Sequence, residues 1–153
     1  MYDFLKLIHI LSSVLLVGTG FGSAFYMYMA NRNGNLHAQM IVSKLVVKAD
    51  WWFTTPTVII QPASGIALVY LAGWPMDASW LLWTYALYAL AAFCWLPVVW
   101  LQIHMRDMAQ QASSTSTTLP AQFWRFARYW EWLGYPAFIA MMLIYWLMVA
   151  KPN

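Results

Sequence analysis

FLKLIHILSSVLLVGTGFGSAFYMYMA, from Phe4 to Ala30, decides the fold. Lys6 is its one charged residue, and about 20 such residues at 1.5 Å rise cross a hydrocarbon core about 30 Å thick. Three further apolar runs follow, from about Trp52 to Leu71, Trp80 to Ile103 and Tyr129 to Val149. The chain therefore predicts an all-α bundle of four transmembrane helices with up-down topology, expected to form a single domain over residues 1–153.

Composition agrees. Of 153 residues, 63% are hydrophobic, 18% aromatic and 8% charged, against about 25% charged in soluble domains. Lys and Arg number 8 against 5 Asp and Glu, with no dense basic run, so no nucleic-acid partner is expected. The lone Cys94 excludes an intramolecular disulfide, iron–sulfur clusters and Cys-rich zinc sites. Gly22-Ser23-Ala24 has the look of a signal-peptide cleavage site, but Asp3 beside Lys6 and the length of the run favour a retained helix.

Arg32, Lys44 and Lys48 lie between the first and second runs, and Arg106, Arg125 and Arg128 between the third and fourth. Lys6 and Lys151 are the only basic residues at the other end. The positive-inside rule then predicts a bacterial inner-membrane protein with both termini on the periplasmic side. Trp74, Trp80, Trp83 and Trp146 are expected in an outer aromatic belt, and Trp51, Trp52, Trp100, Trp124, Trp130 and Trp132 in an inner one. Residues 35–49 read as a helical segment, either lying in the interface or extending the second helix. Gln110 to Pro120, rich in Ser and Thr, reads as a flexible linker.

Gly18-Thr19-Gly20-Phe21-Gly22 lies inside an apolar helix with no preceding strand, which rejects a phosphate loop. The spacing of Gly18 and Gly22, repeated by Gly20 and Ala24, predicts close helix packing and a homo-oligomer. Pro56, Pro62, Pro97 and Pro136 predict local kinks whose freed carbonyls find partners, and Gln61 falls near mid-membrane.

Ionisable groups fall in two layers. Asp50, His104, Arg106, Arg128 and Glu131 form an inner polar cluster, expected to pin helix ends through a pair from Arg128 to Asp50 or Glu131. Near the outer end, Lys6 and His9 lie one turn apart, and His9 shares a face with Ser13 and Gly20. Imidazole is a usual haem ligand, while a hydrogen-bonded structural histidine is the alternative. His9 lies about 9 Å and His104 about 35 Å below the outer end, so they cannot share one iron. With three histidines in the chain, a transmembrane pair of bis-histidine haems is excluded. Met141 or Met142 is the candidate sixth ligand, with Tyr85 and Lys6 as candidate contacts to porphyrin or propionates. Ten methionines raise copper as an alternative cofactor, although they form no clean ligand cluster by spacing. No catalytic triad is visible, and Cys94 reads as a core residue.

Lys6-x-x-His9-Ile10-Leu11-Ser12, Gly18-Thr19-Gly20-x-Gly22, Ala24-Phe25-Tyr26-Met27, Ala49-Asp50-Trp51, Pro62-x-x-Gly65 and Trp95-Leu96-Pro97-Val98 carry a resemblance along nearly the whole chain. It is similar to a bacterial family of predicted four-helix integral membrane proteins, domain of unknown function 2269, for which the resemblance implies no activity. Lys6-x-x-His9, Arg128-Tyr-Trp-Glu131, Tyr135-Pro136 and Lys151-Pro152 resemble HemJ-type protoporphyrinogen oxidases and, more distantly, CopD-like copper-resistance membrane proteins. That likeness implies haem b held by His9 and oxidation linked to a quinone or another redox membrane protein. Thr84 stands four residues after Trp80, where HemJ has lysine, and the arginine following the helix 1 tyrosine is absent. These departures weigh against protoporphyrinogen oxidation and leave haem binding open. The expectation is a b-type haem protein of the inner membrane with a redox role; the alternatives are a non-catalytic accessory or scaffold subunit and a copper-handling protein.

Overall fold

Every apolar run becomes a helix, and every helix outgrows its run. The computed structural model describes residues 1–152, so of the expected domain Asn153 lies outside the described residues. Helix α1 spans Tyr2–Asn33, α2 Leu36–Ala49, α3 Thr55–Leu71, α4 Ser79–Ser114 and α5 Ala121–Ala150, with no strand among the described residues. Asp50–Thr54 is a π-helical turn that joins α2 to α3, giving one 36-residue helix from Leu36 to Leu71. Residues 36–49 thus extend the second membrane helix, and the interfacial alternative falls.

Four helices are long and apolar enough to cross a membrane. Their antiparallel order is fixed by side-chain pairs. His9 meets Ser64 while Ser12 meets Gln61, so α1 and α3 run in opposite directions. Tyr145 meets the Ser13 carbonyl while Phe138 stacks on Phe21 at 5.5 Å, so α1 and α5 do the same. The two ends of the bundle are called here the terminal end, which holds Met1 and Lys151, and the basic end, which holds the α1–α2 and α4–α5 turns.

The turns are built from local chemistry. Gly34 takes φ 71° to end α1, and the side chain of Asn35 then caps α2 by accepting from the Ala38 amide at 3.1 Å. After α3, Gly73 at φ 70° allows its own amide to reach Tyr70 O and that of Trp74 to reach Val69 O, the Schellman closure. The same closure ends α4. Ser116 takes φ 52° and the Thr117 amide returns to Ala112 O at 3.0 Å. The expected linker over 110–120 is therefore mostly helical, with only residues 115–120 between α4 and α5. Hydropathy missed these helix ends because they are amphipathic rather than continuously apolar. Met105, Ala109 and Ala112 recur at helical spacing on α4, as do Phe123, Ala127 and Trp130 on α5, and all are buried.

The densest packing lies at the basic end. Met27, Val46, Leu101, Met105, Ala109, Phe123, Ala127 and Trp130 form one buried cluster, against a smaller one of Val69, Trp80, Leu81 and Leu147 at the terminal end. Between helices in lipid there is little hydrophobic drive, because the tails are as apolar as the side chains. The α4 segment beyond Ile103 is about 16 Å long, which carries it out of the hydrocarbon and into water, where apolar burial stabilises. Trp80 and Trp130 are buried in these cores, whereas Trp51, Trp52, Trp74, Trp83, Trp100, Trp124, Trp132 and Trp146 are exposed at the surface.

One proline kink shows how its freed carbonyl is satisfied. Pro62 has no N–H to give Val58 O four residues earlier, and Tyr88 of α4 donates to that carbonyl at 2.6 Å. Tyr88→Phe should therefore cost about 1–2 kcal/mol in Pro62 protein. In a Pro62→Ala background, where the helix supplies its own donor, it should cost about half of that or less. Unfolding of both single variants and the double variant in detergent gives the coupling. Pro56 follows the π turn, in which the Thr55 amide bonds Asp50 O; the wider turn relieves the clash a proline ring makes with the preceding carbonyls.

Within the chain, the glycines of α1 mark no close helix contact. An added Cβ at Gly18, Gly20 or Gly22 would meet no atom within 4 Å, so no helix of this chain approaches them closely. The close approach is at Gly65 instead.

Candidate functional site: a polar seam between α1 and α3

Thr54, Thr57, Gln61 and Ser64 recur at spacings of three, four and three, which puts them on one face of the second membrane helix. Thr54, Thr57 and Ser64 are buried, as are Ser12 and Ser13 on α1. Polar groups shut away from water need partners, and in an apolar bundle those partners must come from neighbouring helices.

His9 stands where these faces meet. Its Nδ1 lies 2.8 Å from Ser64 Oγ and its Nε2 3.2 Å from Gln61 Nε2. Ser64 directs its single hydroxyl proton to Ile60 O at 2.6 Å. Ser64 Oγ must then accept from His9, which places the ring proton on Nδ1. Ser12 Oγ reaches both His9 O, at 2.9 Å, and Gln61 Oε1; with its proton directed to Gln61, the Gln61 amide group is the end turned to His9 Nε2. With those serine protons on Ile60 O and Gln61 Oε1, the partners match a neutral Nδ1–H His9 whose Nε2 faces the Gln61 amide.

Gly65 makes room for the ring. A Cβ there would lie 3.1 Å from His9 Cε1, closer than such contacts ordinarily come. Gly65→Ala should push the imidazole off α3 and lower the midpoint of thermal unfolding in detergent by several degrees, whereas Gly20→Ala, with open space around it, should leave it unchanged or slightly raised.

The remaining site residues are scattered around this seam. Ser13 is buried one turn from His9 and donates to its own helix at Ile10 O, 2.9 Å away. Lys6 is exposed and Gly20 half-buried on α1. Tyr85 is exposed, and its hydroxyl faces Met76 Sδ at 3.8 Å in the turn before α4. Met141 and Met142 are not at the depth of His9. The pairs Ser13–Tyr145 and Phe21–Phe138 set Met141 about eight residues, or about 12 Å, deeper along the bundle. The methionine at His9's depth is Met148, which packs on the terminal-end core. Cys94 is buried and free, as a core residue.

The expected inner cluster does not form as a cluster. Among the described residues the one salt bridge joins Arg106 to its neighbour Asp107 at 2.7 Å. Arg128 is exposed and makes no salt bridge with Asp50 or Glu131. His104 bonds Trp100 O of its own helix at 2.8 Å and lies against that indole. Asp50 is buried, accepts from Thr54 Oγ1 at 2.8 Å and has Gln102 of α4 beside its carboxyl. That approach lacks a well-aligned hydrogen bond, and Gln102 Oε1 has no partner. No group of three or more His, Cys, Asp or Glu gathers among the described residues. Met27 and Met105 are apolar core while Met29 is exposed.

Lys151, in the terminal Lys-Pro pair, has its ammonium 4.8 Å from the Trp74 ring and 5.7 Å from Trp80. The two indoles meet edge to face at 5.8 Å. This cation–π contact ties the end of α5 to the α3–α4 turn.

Gln61 and Ser64 are the members that sequence reading did not join to His9. Their signal was the polar stripe 54–57–61–64 inside an apolar run, matched by His9, Ser12 and Ser13 on the first helix.

Apolar helices of spanning length, with their polar groups turned toward one another, define a multi-pass, all-helical integral membrane protein. The chain belongs to the family of predicted integral membrane proteins DUF2269, whose model matches residues 3–152. No curated protein and no solved structure matches it. The likeness to HemJ and CopD thus rests on the short motifs alone.

Proposed function

We propose that the protein is a b-type haem protein of the bacterial inner membrane, with His9 as the axial ligand and a redox role exercised with a quinone or a membrane redox partner. The observation that carries this reading is the placement of His9 between Ser64 at its Nδ1 and Gln61 at its Nε2. A metal-ligating histidine holds its proton on one nitrogen, hydrogen-bonded to an orienting group, and offers the lone pair of the other. His9 meets this through Ser64, and the Gln61 amide is the polar group against its Nε2. The donor chemistry fits haem iron. Bound there, haem would supply one-electron chemistry, while Ser64 would orient the ring and Gln61 would line its open face.

Periplasmic termini and self-association through the open glycine stripe of α1 belong to the same reading. A second reading, an accessory subunit, is favoured by one observation: the network of His9, Ser12, Gln61 and Ser64 is complete by itself and joins α1 to α3 without a cofactor. Oxidised and dithionite-reduced spectra of protein purified from haem-replete cells, with a pyridine haemochrome assay, separate the two. A stoichiometric Soret band is the expected result. Colourless protein that also fails to take up added hemin would overturn the haem reading and leave the accessory subunit.

A further inference from the structure

The basic end carries a second feature, independent of the seam. Lys44 and Lys48 lie one turn apart on α2, and across from them Arg106 and Gln110 project from α4. With Val47, Trp51 and Trp52 they line an open groove of about 450 Å³. Both lysines are exposed. The one carboxylate that touches any of these cations is Asp107, which holds Arg106 by its Nε at 2.9 Å and Nη2 at 2.7 Å. The groove therefore keeps an excess of two positive charges, brought together by two helices that pack against each other. Like charges so placed repel unless an anion lies between them.

Its level in the bundle says which anion. The apolar part of α4 ends near Ile103, and Arg106 follows within one turn. Trp51 and Trp52, exposed by 61% and 71%, flank the lysines on the side facing the bilayer. Indoles settle at the headgroup level, with their ring bodies against the upper acyl chain. Cations from two helices above, and indoles below, match the phosphate and the glycerol–acyl junction of one lipid. We propose that this groove binds the headgroup of an anionic phospholipid, with Lys44, Lys48 and Arg106 on the phosphate and Trp51 and Trp52 against the chain.

Native mass spectrometry of the delipidated full chain in detergent, titrated with phosphatidylglycerol and with phosphatidylcholine, tests this. Phosphatidylglycerol should bind about tenfold or more tightly than phosphatidylcholine, and Lys44→Gln with Lys48→Gln and Arg106→Gln should remove most of that preference while the helical circular dichroism persists. Asp107→Asn, which frees Arg106, should raise phosphatidylglycerol affinity about two- to threefold, so the proposal stays testable if the triple variant does not fold. Equal binding of the two lipids, or a preference unmoved by these variants, would overturn it. So would displacement of the lipid by millimolar inorganic phosphate, which would assign the groove to the free ion.

Discussion

His9→Ala should abolish any Soret band and, by itself, lower the stability of the bundle by about 2 kcal/mol. The two effects have separate origins. On the proposed haem reading, the spectral loss follows from removing the axial imidazole. The stability loss follows from leaving Ser64 Oγ and the Gln61 amide without their partner across the α1–α3 interface. Unpaired buried polar groups cost about 1–3 kcal/mol, and interhelical bonds in membranes contribute about 0.6–1.7 kcal/mol each. Ser64→Ala divides the two roles. It keeps Nε2 and removes the group that fixes the ring, so haem should remain with affinity reduced about 10- to 100-fold. Hemin titration of the three proteins, followed by visible absorption, reads the first effect, and unfolding in detergent reads the second. An unchanged Soret band in His9→Ala would remove His9 as the ligand.

Phe123→Ala should be the most destabilising single change in the chain, at about 3–5 kcal/mol. Phe123 is fully buried at the centre of the basic-end cluster with Met105, which is also fully buried. Truncation there opens a cavity in the one region where apolar burial is driven by water. Phe93→Ala, on a face 76% exposed at lipid level, should change stability by about 0.5 kcal/mol or less. Thermal unfolding of both variants in one detergent compares them directly. Equal effects would mean that the basic end is no more tightly built than the rest.

The comparison of these two phenylalanines also shows where sequence reading ran short. Both lie in aromatic-rich stretches, and hydropathy favours Phe93, which faces lipid, over Phe123, which does not. Continuous apolar runs reveal where the membrane is crossed. They do not reveal amphipathic helix beyond it, so Gln110–Ser114 reads as linker and Phe123–Ala127 lies outside the fourth run. Likewise Gly18, Gly20 and Gly22 have the spacing of a packing motif, yet Gly65 is the glycine under close approach, because only the bundle decides which helix face has a neighbour.

Membrane insertion, the number of spans, the all-helical class and the antiparallel order were determined by the sequence itself. The physical reason is that lipid offers backbone polar groups no partner, so every apolar run of sufficient length must be a helix and short turns must reverse it. The placement of Lys44, Lys48 and Arg106 at one end was equally readable, since charge is a property of the chain. What only the tertiary structure decided is partnership. His9 is joined to Ser64 and Gln61, residues more than fifty positions away, and Arg128 is not joined to Asp50. Those outcomes depend on the rotation and depth of each helix against its neighbour, set by the pairs Ser13–Tyr145, Phe21–Phe138 and Val58–Tyr88, and no periodicity within one helix contains them.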